Sequence, residues 1–279
     1  MPTPTVLPAD GPKITVVIPT YNERENLPVI VSELFALDVP TLAVLVVDDN
    51  SPDGTGQIAD ELAAAAAGRL SVLHRRNKDG LGRAYVAGML SALAHGSDIV
   101  VQMDADLSHP VAAIPQMIRV LRDGAAAVVV GSRYVTGGTL GAGWPLHRRL
   151  LSRWANRYVS RILQLGVRDT TAGFKAWRAE TLRGIDLAAV SSNGYCFQIE
   201  TAYRVNRCGL LSAEIPIHFV QRTSGDSKMS LRVQLEAAVV PWRLRRSRWI
   251  PAPTLSDDQC GSAAEAPTVD CDVAWHRAC

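Results

Sequence analysis

Short apolar runs alternate with helix-patterned segments through the first half of this 279-residue chain. The runs are Lys13 to Pro19, Leu42 to Val47, Leu70 to His74, Ile99 to Met103 and Ala126 to Gly131. Between them the pattern predicts helices from the Thr20–Asn26 turn to about Leu37, from Thr55 to Gly68, from Arg83 through Leu93, and from Val111 to Arg122. Strands that alternate with helices of about 10–15 residues need right-handed crossovers. The expected fold class is therefore α/β: a Rossmann-like, mostly parallel sheet with helices on both faces. Such sheets bind ligands at their carboxyl edge.

Acidic groups collect at that edge. Asp104 and Asp106 leave the fourth run with only Ala105 between them. Two carboxylates on one side of an extended Asp-x-Asp can hold a hard divalent cation that also ligates a diphosphate. The competing reading makes them turn formers, with Ser108 capping the next helix ahead of Pro110. The second run ends in Asp48-Asp-Asn-Ser-Pro-Asp-Gly-Thr55. Asn22 or Thr20 is expected to cap the first helix, with Glu23 and Glu25 at the positive end of its dipole. The loop Arg75 to Arg83, basic and glycine-bearing, could cradle phosphate or serve as a plain connection.

Composition narrows the class. At 47% apolar and 20% charged the chain can bury a sizeable core, and a net charge of +2 gives no reason to expect a nucleic-acid partner. No apolar run reaches the roughly 18 residues that span a bilayer, and the N-terminus lacks a signal pattern, so a cytoplasmic protein is expected. The 5 cysteines lack metal or redox spacing and read as reduced thiols.

The second half changes character. Residues 136–143 read as a mobile glycine-rich loop. A helix from Leu146 to Leu165 follows, carrying Arg148, Arg149, Arg153, Arg157 and Arg161 at mostly three- and four-residue spacing. That face is either simply solvated or, with Leu150 and Trp154 in it, suited to an anionic surface. Further segments are a helix from Gly194 to Cys208, a strand from Ser212 to Val220, and a loop Gln221 to Lys228 able to bind phosphate. The last helix, Ser230 to Trp249, is interrupted at Pro241 and ends basic and aromatic. It suits a membrane interface, or is an ordinary basic helix end. The expected organisation is a disordered leader 1–12, a catalytic domain 13–228, the basic amphipathic helix 229–249 and a disordered tail 250–279.

Several segments together carry a resemblance: Pro19-Thr-Tyr-Asn-Glu-Arg-Glu-Asn26, Asp48 to Thr55, Gly80-Leu-Gly-Arg-Ala-Tyr85, Asp104 to Pro110, Gly131-Ser-Arg-Tyr134, Gly194 to Gln198, and Arg222 through Lys228. In this order they resemble the polyprenyl-phosphate (dolichyl-phosphate) mannosyltransferases of glycosyltransferase family 2, over about residues 13–230. The resemblance implies a GT-A fold and transfer of mannose from GDP-mannose to a polyprenyl phosphate with Mg2+ or Mn2+. It implies that Pro19, Tyr21, Glu23, Val47 and Asp49 line the base and ribose pocket, and that Asp104, Ala105 and Asp106 meet metal and diphosphate. It implies that Arg133, Arg222 and Lys228 hold phosphates. Two positions depart from the family pattern. Ser108 stands where some relatives carry a Gln metal ligand, and Ala172 stands where Ser is common. Many relatives continue into transmembrane helices, so attachment to the cytosolic membrane face is expected through the basic helices or a separate membrane-embedded anchoring protein.

The chemistry is coherent with those residues. Asp104 and Asp106, through a metal, and Arg133 would stabilise charge on the departing diphosphate. An acceptor phosphate is already an anion and needs no general base, and His109, the imidazole near the pair, reads as structural. Direct attack inverts the anomeric centre. The rival readings are a glucosyltransferase using UDP-glucose and a non-catalytic nucleotide-sugar-binding scaffold. A nicotinamide-dependent oxidoreductase lacks its Gly-x-Gly-x-x-Gly turn here.

Overall fold

A computed structural model describes residues 11–141, 143–190, 192, 194–220, 231–247, 249 and 274–276, the backbone alone for 231–237 and 274–276. The first half runs β1 (Ile14–Thr20), α1 (Asn26–Phe35), β2 (Leu42–Asp48), α2 (Thr55–Ala65), β3 (Leu70–His74), α3 (Leu81–Ala94), β4 (Ile99–Gln102), α4 (Ile114–Asp123) and β5 (Val128–Ser132). Then come β6 (Thr139–Leu140), α5 (Leu146–Leu163), β7 (Lys175–Arg178), α6 (Ala179–Gly184), α7 (Gly194–Arg207), β8 (Ser212–Pro216), β9 (His218–Phe219), α8 (Leu231–Arg246) and β10 (Ala274–His276).

The main sheet has the order β10-β8-β5-β7-β4-β1-β2-β3. Pairings β4–β1, β1–β2, β2–β3 and β5–β8 are parallel. Side chains alternate between two cores, as a strand period of two requires. Ile14, Val16 and Ile18 of β1 pack with Leu27, Ile30 and Leu34 of α1 and Ile114, Met117 and Leu121 of α4. Val17 points the other way, into the core made with Ala84 and Met89 of α3 and Phe197 and Val205 of α7. A Cβ on Gly88 would lie 2.4 Å from Val17 Cγ1 and 2.7 Å from Val47 Cγ2, so α3 rests directly on the sheet there. That close approach brings Tyr85, one turn earlier, over the end of β4.

The second half departs from the sequence-based expectations in several places. Strand β7 was not anticipated: it inserts antiparallel between β4 and β5. The glycine-rich segment 136–143 is not wholly loop, because β6 pairs with β9 in a small second sheet, and the single strand expected from Ser212 to Val220 is split to allow this. Thr20 and Asn22 do not cap α1, whose N-cap is Glu25. Thr20 ends β1 with its hydroxyl 3.2 Å from Asp48 Oδ1, and Asn22 lies at φ 60°. Helix α8 runs through Pro241 rather than breaking, with Val240 and Leu244 buried against α5 and α7. In the tail expected to be disordered, β10 pairs antiparallel with the otherwise open edge of β8. No helix among the described residues is long and apolar enough to cross a membrane.

Candidate active site

Asp104, Ala105 and Asp106 follow β4 at the carboxyl edge of the sheet, beside β1. The Tyr85 hydroxyl donates to Asp104 Oδ1 at 2.6 Å, and the Asp104 amide donates to His109 Nδ1 at 3.3 Å. His109 stacks on Phe174 at 5.2 Å and meets Phe219 in a T-shaped contact at 5.6 Å. It thus holds the loop, as expected of a structural imidazole. The Ser108 amide donates to Asp106 Oδ1 at 3.1 Å, closing a local turn across Leu107 at φ 59°. Ser108 does not act as a helix cap: its buried hydroxyl has no hydrogen-bond partner among the described residues. A Cβ on Gly173 would lie 3.2 Å from Asp104 Oδ2, so the glycine keeps that oxygen clear. Burial and the Asp104 charge push the Tyr85 hydroxyl well above its ordinary 10, so it stays a donor.

The expected nucleotide pocket gathers on β1 and β2. Pro19 and Val47 are buried and face each other in register. The Asp49 amide donates to Thr20 O at 3.1 Å, and its carboxylate pairs with Arg75. Burial raises the Asp49 carboxyl, opposed by the Arg75 guanidinium. Lys78 Nζ sits 3.4 Å above the centre of the Tyr21 ring. Thr55 Oγ1 accepts the Glu23 amide at 3.0 Å, and the Glu23 carboxylate accepts from Asn26 Nδ2 at 2.8 Å. The basic loop after β3 thus turns two of its cations onto Asp49 and Tyr21. That role was hidden in the sequence because the cations answer partners more than twenty residues away.

Arg133, at the end of β5, is held by Asp169. Nε donates to Oδ2 at 2.7 Å, Nη2 to Oδ1 at 2.6 Å and the backbone amide to Oδ2 at 3.0 Å, while Nη2 also reaches Thr171 Oγ1 at 2.9 Å. Burial, the largest single effect, lowers the guanidinium, but the Asp169 charge and hydrogen bonds, helped by Tyr134 and Tyr195, together raise it. Asp169 is itself fixed: its amide and that of Arg168 donate to the buried Glu214 carboxylate at 3.0 and 2.8 Å. Nearby Lys175 is pulled down to about 7 by burial, against the Asp169 charge. Phe219 links the two clusters, with its ring centre 5.6 Å from that of His109 and 5.4 Å from Arg133 Cζ.

The structure therefore brings Pro19, Tyr21, Glu23, Val47, Asp49, Asp104, Ala105, Asp106 and Arg133 to one edge of the sheet. Arg222 and Lys228 lie outside the described residues. Sequence reasoning gave no individual role to Tyr85, Arg75, Asp169 or Gly173. Tyr85 and Arg75 stood in segments already singled out, and Asp169 and Gly173 near Ala172, which was the available signal.

Helix α5 borders this edge and carries an exposed face. Leu146, Leu150 and Trp154 are 71%, 57% and 60% exposed, and on α8 Val239 and Trp242 are 63% and 45% exposed. Trp154 stacks on Tyr158 at 5.2 Å, and the Tyr158 hydroxyl donates to Ala238 O and accepts from Trp242 Nε1, each at 2.9 Å. One aromatic cluster thus joins the two helices, with Arg153 and Arg157 exposed beside it.

A family model described as glycosyl transferase family 2 matches residues 15–185. The chain is 47% identical over 232 residues to polyprenol monophosphomannose synthase of Mycolicibacterium smegmatis, covering 82% of this chain and 86% of that protein. It is 46% identical over 240 residues to undecaprenyl-phosphate mannosyltransferase of Micrococcus luteus, covering 85% and 96%. Among solved structures, mannosyltransferase PcManGT from Pyrobaculum calidifontis, in complex with GDP-Man and Mn2+, superposes with a TM-score of 0.55 at 21% identity, covering 88% of this chain and 63% of that one. Glucosyl-3-phosphoglycerate synthase from Mycobacterium tuberculosis, in complex with Mn2+, UDP and phosphoglyceric acid, gives 0.58 at 20% identity, covering 88% and 81%. At these identities the solved structures show the fold alone.

Proposed function

Because the chain belongs to glycosyl transferase family 2, we propose that it transfers mannose from GDP-mannose to a polyprenyl monophosphate with inversion at the anomeric carbon. The observation that carries this reading is the juxtaposition at one sheet edge. The Asp104/Asp106 pair adjoins the β1–β2 pocket on one side, and on the other the Arg133 cluster leads to the exposed apolar and basic face of α5. The names of the two relatives support mannose and a prenyl phosphate. GDP-mannose bound to a protein of the same fold agrees with the donor.

The residues present fit a divalent cation. Asp104 and Asp106 supply hard oxygen, and the partnerless Ser108 hydroxyl beside Asp106 is a further oxygen donor. Mg2+ and Mn2+ both suit a site of two carboxylates completed by water and substrate phosphate. Such an ion would neutralise charge building on the departing diphosphate. Tyr85 orients Asp104 for this, and Gly173 leaves its second oxygen clear. Asp49, Tyr21 and Glu23 receive the base and ribose. The lipid phosphate, with a second pKa near 6, arrives as the nucleophile without a base.

The α5–α8 face, with its aromatic residues beside arginines, fits an anionic bilayer surface and supports a peripheral enzyme working on the cytosolic side. The test is transfer of labelled sugar from GDP-mannose, and separately from UDP-glucose, to a polyprenyl phosphate with Mg2+, Mn2+ or EDTA, with the product anomer assigned. Metal-dependent β-linked product from GDP-mannose is expected. An α-linked product, or label from UDP-glucose alone, would overturn the mechanism or the donor.

A further inference from the structure

The Asp104/Asp106 pair is backed at two points by one segment, residues 169–174. Gly173 stands behind the carboxylate, where a Cβ would lie 3.2 Å from Asp104 Oδ2 and 3.5 Å from His109 Cε1. Phe174 stacks on His109 at 5.2 Å, and His109 Nδ1 accepts the Asp104 amide at 3.3 Å. A displacement of this segment would therefore displace Asp104.

The segment is irregular until β7 begins at Lys175, so its backbone groups need partners outside the sheet ladder. Glu214 of β8 holds its start, through the amides of Arg168 and Asp169. Asn156 of α5 holds its middle. Its Oδ1 accepts from Thr170 Oγ1 at 2.9 Å and from the Thr171 amide at 3.2 Å. Its Nδ2 donates to Thr171 Oγ1 at 3.3 Å and to Ser152 O, one turn back on α5, at 3.0 Å. The Thr171 amide can only donate, which fixes which end of the Asn156 side chain is oxygen. Both donors and both lone pairs of that side chain are thus used.

The rest of the buried face of α5 is aliphatic: Val159, Ile162 and Leu163. A polar residue in such a row costs stability unless it is bonded, and fully bonded it fixes one arrangement of its neighbours. Asn156 is 2% exposed and Thr170 is fully buried, so water does not replace a lost bond. We propose that Asn156 is a positioning residue for the cation site: from α5 it sets where Gly173 and Phe174 stand, and so where Asp104 presents its oxygens. The helix whose outer face exposes Leu150 and Trp154 is thereby tied, through its inner face, to the carboxylate that would hold the cation. The inference rests on the cation reading proposed above.

The test uses the full chain and needs no turnover. Mn2+ is titrated at a saturating, fixed concentration of GDP, bound metal is read by electron spin resonance against a protein-free titration, and the unfolding midpoint of each variant is measured alongside. Asn156→Leu keeps the size of the side chain and removes its four bonds. Thr170→Val removes the 2.9 Å bond at nearly constant shape, and Thr170→Ser keeps it. Thr181→Val is the control, because it deletes a buried hydroxyl bond of the same length, to Ala127 O at the opposite edge of the sheet. Groups that support a metal-binding residue account for about 10–100-fold in affinity. Asn156→Leu and Thr170→Val should accordingly raise the Mn2+ Kd about tenfold. Thr170→Ser should keep the wild-type Kd, and so should Thr181→Val even where its midpoint falls as far as that of Thr170→Val. An unchanged Kd in Asn156→Leu and Thr170→Val would make Asn156 merely structural and overturn the inference. A Kd raised equally in Thr181→Val would point to general loosening and overturn it too. If Asn156→Leu does not fold, the two Thr170 variants decide. Failure of the cation reading is seen separately: a wild type that binds no Mn2+, or binding that survives Asp104→Asn, overturns that reading and this inference with it.

Discussion

Replacing Tyr85 by Phe isolates one bond. The Tyr85 ring is fully buried and lies nearly parallel to Phe197, with centres 5.8 Å apart. Phe preserves this packing and removes only the hydroxyl that donates to Asp104 Oδ1 at 2.6 Å. A hydroxyl-to-carboxylate bond of this length is charge-assisted, and a bond of that kind is worth about 1.5–3 kcal/mol. Groups that orient a metal-binding carboxylate typically account for about 10–100-fold in metal affinity, or about 1.4–2.8 kcal/mol, so the two magnitudes agree. Tyr85→Phe should therefore raise the half-saturating Mg2+ or Mn2+ concentration for mannosyl transfer about 10–100-fold, with excess metal restoring most of the rate. The unfolding midpoint should move little. Burial and the Asp104 charge hold the Tyr85 hydroxyl protonated well above pH 10, so the deficit should be flat in pH from 6 to 9. An unchanged metal requirement, or a loss of rate that metal does not recover, would refute the view that Tyr85 acts through Asp104.

Gly173→Ala places a methyl 3.2 Å from Asp104 Oδ2 and 3.5 Å from His109 Cε1; the rate should fall at least about tenfold while the denaturant midpoint shifts by less than about 1 kcal/mol. Lys175, whose pKa drops from 10.5 to about 7 on burial, is charged in both states below pH 7, where its burial penalty is complete. Between about pH 7 and 10.5 the unfolded chain binds the extra proton, so wild-type stability should climb with pH at up to about 1.4 kcal/mol per unit. Lys175→Met should abolish that climb in denaturant titrations at pH 6, 7.5 and 9, and parallel profiles would count against it. Arg75→Met leaves Asp49 with its burial and without its counter-charge, lifting the carboxyl further. GDP binding should then decline at a higher pH than in the wild type as acid is added, and superimposable acid limbs would reject the pairing as functional.

The parallel part of the fold was legible because each of its strands is a local apolar run between helical segments, so β1 to β5 lie within two residues of their expected ends. Strand β7 was not legible. It is four residues long and begins and ends with Lys175 and Arg178, both buried, whereas charged residues are rarely buried unless partnered. Besides Glu180 near Arg178 and Thr201 near Lys175, their partners are backbone carbonyls distant in sequence. Arg178 donates to Ala126 O at 2.9 Å and Gly124 O at 3.1 Å, just past α4, and Lys175 reaches Gln198 O in α7 at 3.3 Å. Buried cations thus answer unsatisfied carbonyls, two of them at a helix end, and no periodicity in the sequence reports this. Strands β6 and β10, and the break that separates β9 from β8, escaped for a related reason, since two or three residues leave no pattern and their pairing is wholly tertiary.

For the site, residue type and place on a strand end were enough to put the Asp104/Asp106 pair at the carboxyl edge of the sheet, but not to give the charge balance around it. From the sequence Arg133 is a cation available to phosphate. In the structure its fork is closed on Asp169, thirty-six residues on, so most of its charge is already answered. The five arginines of α5 look equivalent in the sequence, where spacing defines a face but not what lies opposite it. The approach of β6 separates them. Arg149 and Arg153 line a cavity with Arg133, Arg149 half-buried and Arg153 exposed, while Arg157 and Arg161 are exposed and outside it. The exposed leucines and Trp154 of α5 lie on the same helix as these arginines. Substitutions in that helix should therefore alter acceptor use while sparing the nucleotide pocket on β1 and β2.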